Sequence, residues 1–539
     1  MERREWLKMA GVGVAAAVTP GGAQAMSAMN ARHGAADGPR RWVFDVRAFG
    51  AKGDGTTLDT NAINAALSAA AKAGGGTVVF PAGMYLSYSI PLKSKVGLYL
   101  DQGAVIVGAS TPHDGMATGG YDRAEPQGPW EPYQDYGHNH WHNSLLWGEG
   151  LGDVSITGPG MIWGKGLSRG WDKELARPDS RKPGVGNKTI ALKNCHNVLF
   201  RDFKILEGGW FGILATGVDN LTIDNLLIDT IRDGMDIDCC RNVRVTNCTV
   251  NSPYDDAICL KSSYALGYAR ATENVTISNC YVTGAYVVGS VVDGTWQKLD
   301  HDAGHFATGR IKLGTESNGG FKNIAISNCV FENCQGFALE SEDGARMEDV
   351  TVTGITMRGI ASAPLFLRLG VRMRGPKTLQ PGVIRRVILS NITSSGASML
   401  PSILSGVPGH SIEDVKISDV FLQQVGGGDA ARSALEPEEK SDGYPEPTMF
   451  GALPATGLFA RHVRNLEVTN VTVETLSKDA RPAFWLRDVE GADFFRVRVP
   501  KGAPAFALKD VTGFRSFGSR DAKDVPLGDV AEQNISPNR

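Results

Sequence analysis

Two acidic stretches stand 22 residues apart, counted from Asp233 to Asp255. Residues 231–238 read Ile-Arg-Asp-Gly-Met-Asp-Ile-Asp and carry Asp233, Asp236 and Asp238. Residues 252–263 set Asp255 and Asp256 side by side, directly before the apolar run 257–260. Adjacent like charges beside an apolar run suffer repulsion and desolvation, so the pair needs a use. A surface turn, a calcium site made of carboxylate oxygens and an acid/base pair all fit these residue types. If 22 residues make one turn of stacked parallel strands, Asp233 lies one rung below Asp255 and Asp256, about 4.7–4.9 Å away along the stack. Side chains diverging from neighbouring rungs would hold their carboxyls ~6.5–9.5 Å apart. At that spacing one protonates a leaving glycosidic oxygen and another activates water. Crowded carboxylates also push one another's titrations apart, giving an acid and a base from one residue type.

Other residues could join them. Arg310 and Lys312 flank one apolar residue, as a gripping pair or as a solvated pair on a strand. Lys261, five residues past Asp256, either lines the same groove or is surface. His138, His140 and His142 have period two and are expected to share one strand face, with Trp141 and Trp147 as walls on which sugar rings stack or as ordinary packing. Trp296, His301 and His305 sit in an inserted segment and allow the same two uses. No cysteine or acid spacing near the histidines matches a zinc site, and the sequence calls for no metal and no cofactor.

The elements that would position these residues form a repeat. Asn-Val-Leu-Phe-Arg-Asp-Phe-Lys-Ile at 197–205 returns in outline at 220–228, 242–250, 274–282, 323–331, 349–357, 386–394, 414–422 and 465–473. Each copy begins with a polar residue, usually Asn or Asp, alternates apolar with polar, and has Asn, Asp or Gly at its sixth place. Alternation predicts strands with one buried face, and the sixth place predicts a bend. Starts at 197, 220 and 242 give periods of 23 and 22 residues, too short for a four-stranded propeller blade. Units of two short strands cannot bury their faces alone, so they must stack, and the expected fold is all-β, a right-handed parallel β-helix. Longer intervals imply inserted loops, at 284–318 and at 426–448, which could wall a groove and confine cutting to chain ends. Thr60 to Ala73 is an alanine-rich helix pattern before three glycines, expected to cap the open end of the solenoid.

On these residues the chain resembles the polygalacturonase family, glycoside hydrolase family 28. Its signatures run Asn-Thr-Asp, Gly- or Gln-Asp-Asp, Gly-His-Gly and Arg-Ile-Lys on a right-handed parallel β-helix. Ile231-Arg232-Asp233-Gly234 resembles the first, Tyr254-Asp255-Asp256 the second and Arg310-Ile311-Lys312 the fourth. Residues 49–70 and 74–86 resemble the family's N-terminal region, and the likeness spans about 43–500. The resemblance implies an inverting hydrolysis with Asp255 as general acid, Asp233 and Asp256 activating water, and Arg310 and Lys312 holding a uronate or a sugar hydroxyl. No Gly-His-Gly follows Asp256; the chain reads Thr-Gly-Ala-Tyr-Val-Val-Gly-Ser at 283–290. The same loss marks the rhamnogalacturonan-directed branches, which implies a branched or mixed pectic substrate. Arg310 and Lys312 run straight into the strand at 323–331, which points to the rung the histidine would occupy.

The 539-residue chain, at net charge −3, has no bias toward a nucleic-acid partner. Arg3-Arg4, an apolar run from Met9 to Val18 and Ala23-Gln24-Ala25 form a leader at 1–25 of the twin-arginine kind, so a periplasmic or extracellular location is expected. A linker at 26–42, a cap with first coils at 43–150, the solenoid at 151–515 and a tail at 516–539 would follow. A monomer without a membrane partner once the leader is cleaved is expected, with pectic polysaccharide or oligosaccharide as its substrate. Eight cysteines allow disulfides in an exported chain, yet most share one place in the repeat, which favours a buried thiol stack. Two alternatives use the same fold: a polysaccharide lyase working with calcium, and a carbohydrate-binding solenoid without catalysis.

Overall fold

The computed structural model describes residues 42–110, 120–168, 181–300 and 307–536. The leader at 1–25, His301 and His305 lie outside them. Among the described residues no helix is long and apolar enough to cross a membrane.

From Val43 onward the strands pair in parallel with strands one turn later. Lys188–Lys193, Phe211–Thr216, Met235–Asp238, Ile258–Ser262 and Ile311–Ser317 stack in one sheet. His196–Arg201, Asp219–Asp224, Arg241–Thr246, Thr272–Ser278 and Phe321–Ser327 stack in a second. Lys204–Leu206, Leu227–Asp229, Thr249–Asn251, Tyr281–Thr283 and Val330–Glu332 make the third. Each of these turns therefore has three strands, where the repeat pattern predicts two. The nine-residue template covers the second and third sheets, and the sheet carrying the site is the one it omits. One continuous apolar column fills the interior, with Ile213, Met235, Ile258 and Ile311 stacked directly.

The template has a physical reason. Asn220, Asn242, Asn274 and Asn323 open their copies, and all have left-handed backbone, φ 54 to 58°. Asparagine tolerates that region because its short amide bonds locally. The amides also join rung to rung: Asn220 donates to Asn197, Asn242 to Asn220, Asn274 to Asn242 and Asn323 to Asn274, at 2.8–3.2 Å. Asn225, Asn247, Asn279 and Asn328 bend the chain again at the sixth place, φ 55 to 59°. Cys248, Cys280 and Cys329 each follow such a residue and donate to the carbonyl two residues back. All eight cysteines are buried free thiols, as expected, and Cys248, Cys280 and Cys329 are the three that share one place in the repeat.

Helix α1, Thr60–Lys72, buries Ile63, Ala66, Leu67 and Ala70 against the first strands, as its alanine pattern predicts. At the other end the expected tail is in large part a strand. Val525–Ile535 runs antiparallel to Phe506–Phe517 and supplies hydrogen bonds to the last rung, an edge otherwise open to another chain. The first insertion is also shorter than expected, because Ile311–Ser317 is itself a rung.

Candidate active site

Asp233, Asp256 and Arg310 occupy one turn of three consecutive rungs, just before strands Met235–Asp238, Ile258–Ser262 and Ile311–Ser317. Gly234 N–H donates to the Asp256 carbonyl at 2.9 Å and Ala257 N–H to the Arg310 carbonyl at 2.9 Å, so the rungs stay in register through the turn. Gly234 is required for this closeness: a Cβ there would stand 2.5 Å from the Ala257 carbonyl oxygen. Pro253 and Tyr254 form a turn that frees Asp255 and Asp256 from strand geometry, and so both carboxyls reach one face. The nearest carboxylate oxygens of Asp233, Asp255 and Asp256 all lie within 4.8 Å of one another, closer than the ~6.5–9.5 Å expected from the sequence, because all three carboxyls converge on one turn instead of diverging from their rungs. The cluster is tight because Asp256 N–H also donates to Asp233 Oδ1, at 3.0 Å.

The three aspartates differ in setting. Asp255 is the outermost, with 26% of its side chain exposed, and takes two bonds from Arg232, at 3.1 and 3.2 Å. The Arg232 guanidinium lies 4.8 Å from the Trp210 ring, which fixes it. Asp256 is buried. Burial alone would raise its carboxyl, but Lys312 and then Arg310 outweigh that and hold it at about 2. Arg310 Nε donates at 2.9 Å, and Lys312 pairs with the second oxygen. Asp233 goes the other way: burial, then the charges of Asp236 and Asp255, raise its carboxyl well above the usual range. The cluster thus keeps a fixed anion beside a group that holds a proton.

The register settles where the basic pair sits. Lys312 stacks directly on Cys259, one rung after Asp256. Both cations are buried against Asp256, so neither is a solvated surface pair, and their first partner is the carboxylate. Arg310 also donates to Glu446 of the second insertion, at 2.9 Å. Lys261 is buried on the same face, 2.9 Å from Glu316 and 3.8 Å from Asp236.

Asp236 belongs to the acidic stretch 231–238 named above but had no role there, and Glu340, Glu342 and Asp343 are not singled out by the sequence. Asp236 is fully buried, and burial raises it to about 7 despite Lys261 and a hydrogen bond with Asp233. Glu340, two residues along the next rung, is pushed up to about 7 by burial, partly offset by Lys312. Glu342 faces Arg368 at 3.8 Å, and Asp343 accepts from Arg372 Nε at 3.0 Å. Their signal was the acidic stretch 338–344, too anonymous to assign before the rung order was known.

The histidines do not share a strand face. Tyr136–His138 is a single 3-10 turn followed by irregular chain. Glycine at 137 packs on the Trp210 ring with no room for a side chain, its Cβ position 2.8 Å from that ring, and so the segment folds over the sheet instead of joining it. His138 is buried 4.0 Å from Glu316 and its ring lies against Phe211, while His142 pairs with Glu149 at 3.0 Å. Trp141 donates to Thr216 Oγ1 at 3.1 Å. Trp296 packs edge-on to Tyr286. Asp135, His138 and Glu316 form a cluster that sequence spacing could not show, because Glu316 arrives from a distant rung.

Comparison with known proteins agrees with this architecture. Residues 43–126 match the family described as rhamnogalacturonase A/epimerase, pectate lyase-like, and residues 183–300 match a right-handed β-helix region. A probable polygalacturonase of Vitis vinifera is 23% identical over 463 residues, covering 79% of this chain and 84% of that protein. The family 28 exopolygalacturonase of Yersinia enterocolitica superposes with a TM-score of 0.57 at 19% identity, over 90% of this chain and 79% of that one. A hyperthermoactive exopolygalacturonase of Thermotoga maritima gives 0.55 at 16% identity, over 93% and 96%. At these identities the two structures bear on the fold: a right-handed parallel β-helix.

Proposed function

We propose, for a chain that is polygalacturonase-like in sequence and β-helical in structure, hydrolysis of glycosidic bonds in pectic polysaccharides or their oligomers. The observation that carries it is the clustering of Asp233, Asp255 and Asp256, with oxygens within 4.8 Å, around one permanently charged member. Asp255, the exposed carboxyl, meets the leaving oxygen and delivers the proton. Asp256, ionised by Lys312 and Arg310, orients and activates the attacking water. Asp233, which holds the proton of the cluster, hands it on to Asp255 as Asp255 protonates the leaving oxygen. Water attack opposite the leaving oxygen makes the reaction inverting. A lyase would need a free base to take a carbon-bound proton. Here Lys261, Lys312 and Arg310 are each engaged by carboxylates, and this favours hydrolysis.

The cations that border the cluster all have carboxylate partners: Arg232 with Asp255, Lys261 with Glu316, Arg372 with Asp343. Those cations are already neutralised, which favours a neutral sugar such as rhamnose over a uronate beside the cluster. The enzyme acts outside the cytoplasm, where cell fractionation would find it. The decisive experiment is Asp255→Asn assayed on homogalacturonan and rhamnogalacturonan fragments. Activity should fall about 10²–10⁴-fold, as for loss of a positioned proton donor, with the fold unchanged. Undiminished hydrolysis by the variant would remove the assignment.

A further inference from the structure

The second insertion lies along the site sheet, held there by a column of cations. Arg368, Ser405, Arg461, Arg487 and Lys509 are successive register partners, one to a rung. Glu436 meets Lys509 at 3.0 Å and also Arg487. Arg461 donates to the carbonyls of Pro437 and Glu438, at 2.8 and 3.1 Å, and its Nε lies 3.3 Å from the Glu439 carboxylate. His462 adds a contact to Glu439 at 3.0 Å. Arg368 donates to the Lys440 carbonyl at 2.8 Å. The chain continues to Tyr444, whose hydroxyl is 3.3 Å from Thr315 Oγ1, and ends at Glu446 on Arg310.

This segment therefore runs against the order of the rungs, from Lys509 back to Arg310. The six register steps from Lys312 to Lys509 amount to about 29 Å at about 4.8 Å each. Ten residues reach at most about 33–36 Å, so even with its turn at 440–443 the strap meets both ends through the long side chains of Arg310 and Lys509. Beneath it Phe337–Ser341, Leu365–Leu369 and Ser402–Ser405 are buried on both faces. The earlier rungs are covered too, by Trp141 on Thr216 and His138 on Phe211. A polymer lying along the solenoid would have to pass over both covers. Arg368 and Arg461 are fully buried and bind backbone carbonyls, which holds the strap more firmly than exposed ion pairs would.

We propose that residues 436–446 are a specificity element that closes the groove beyond Asp256, so that the site accepts a chain end only, with Tyr444 and Glu446 facing the terminal sugar. This rests on the hydrolase reading above and adds to it where along the polymer the enzyme cuts. The test uses the full chain, an Arg368→Met/Arg461→Met variant that removes the bonds to the strap carbonyls and so loosens the clasp, and Tyr444→Ala, a substitution at a half-exposed ring. Two readouts are taken: product lengths from long homogalacturonan and rhamnogalacturonan, and tryptic cleavage after Lys440.

The wild type should release one short product size. The loosened variant should yield mixed oligomer lengths and be nicked about tenfold faster. Tyr444→Ala should widen the product range without faster nicking. Mixed lengths from the wild type would overturn the inference and leave the hydrolase reading standing. So would variants nicked faster whose products match the wild type's. An unchanged nicking rate in the double variant would overturn the clasp. No sugar released by the wild type from any pectic polymer or oligomer would overturn the function, and the inference with it.

Discussion

The sheet of His196–Arg201, Asp219–Asp224 and Arg241–Thr246 and the sheet of Met235–Asp238, Ile258–Ser262 and Ile311–Ser317 share one backbone repeat but stack opposite kinds of side chain. In the first, identical amides repeat rung after rung, because an amide both donates and accepts and so pairs with a copy of itself. In the second, stacked like charges repel, so they stand together only where other groups neutralise them, as Lys312 and Arg310 do for Asp256 and Glu436 does for Arg487 and Lys509. Its outward columns therefore change character from rung to rung: Asp236 to Cys259 to Lys312, Asp238 to Lys261, Glu340 to Arg368. Its strands are buried on both faces, while the amide strands alternate buried with open. Periodicity therefore builds the scaffold, and the chemistry sits where periodicity must break.

The largest effect should come from breaking the charge alternation. Lys312→Met leaves Asp256 with Arg310 alone and should cost about 3 kcal/mol, the lower end for removing one partner of a buried pair. The Asp256 carboxyl, now at about 2, should rise, and the acid limb of the rate profile should move to higher pH with it. Urea unfolding and a pH–rate profile measure the two. A variant with unchanged stability and an unmoved acid limb would show that Lys312 does not hold Asp256 charged.

The next effect is one of pH. Asp236 titrates at about 7 in the folded protein, far above an unfolded aspartate near 3.9. The folded state then binds more protons between those values, so this contribution is fully present below about pH 4 and is lost as pH rises through about 7. His138, lowered to about 3 by burial, and His140, to about 4, act in the opposite sense below about 6.5, so the wild-type curve mixes both. Asp236→Asn separates them. Compared with the wild type, it should grow relatively more stable from pH 4 to pH 7 in urea titrations at fixed temperature. A difference that stays flat over that range would mean Asp236 is ionised when folded. No amide-ladder substitution should show any such slope.

How much of this was legible follows from the same contrast. The β-helix could be read from sequence because Asn-apolar-polar alternation returns at 197, 220 and 242, with amides needed for both φ and pairing. Asp233, Asp255 and Asp256 were legible because their spacing equals one turn. The third strand of each turn was hidden: Met235–Asp238 and Ile258–Ser262 share no pattern but alternate apolar positions. Glu316, Glu340 and Glu446 were hidden more deeply, since they reach the aspartates through rung order and through a strap whose anchors lie up to 136 residues away, as for Glu446 on Arg310. The histidines have the period of a strand, but packing of Gly137 on Trp210 folds that segment over the sheet.

The smallest effect tests what the amide sheet itself contributes. Asn242 has φ 57°, donates to Asn220 at 3.2 Å and accepts from Asn274 at 3.1 Å. Asn242→Ala loses both amide bonds and forces an alanine into left-handed backbone, which together should cost about 1–2 kcal/mol. Asn242→Gly loses the same bonds but keeps the backbone at ease, so it should cost under about 1 kcal/mol. Both variants should keep wild-type activity per folded molecule, because no ladder residue touches the aspartates. The gap between them in chemical denaturation divides the ladder into backbone conformation and amide pairing. Equal costs would place its stability in the hydrogen bonds, and the strong asparagine preference at this place would then reflect pairing between rungs, not tolerance of the bend.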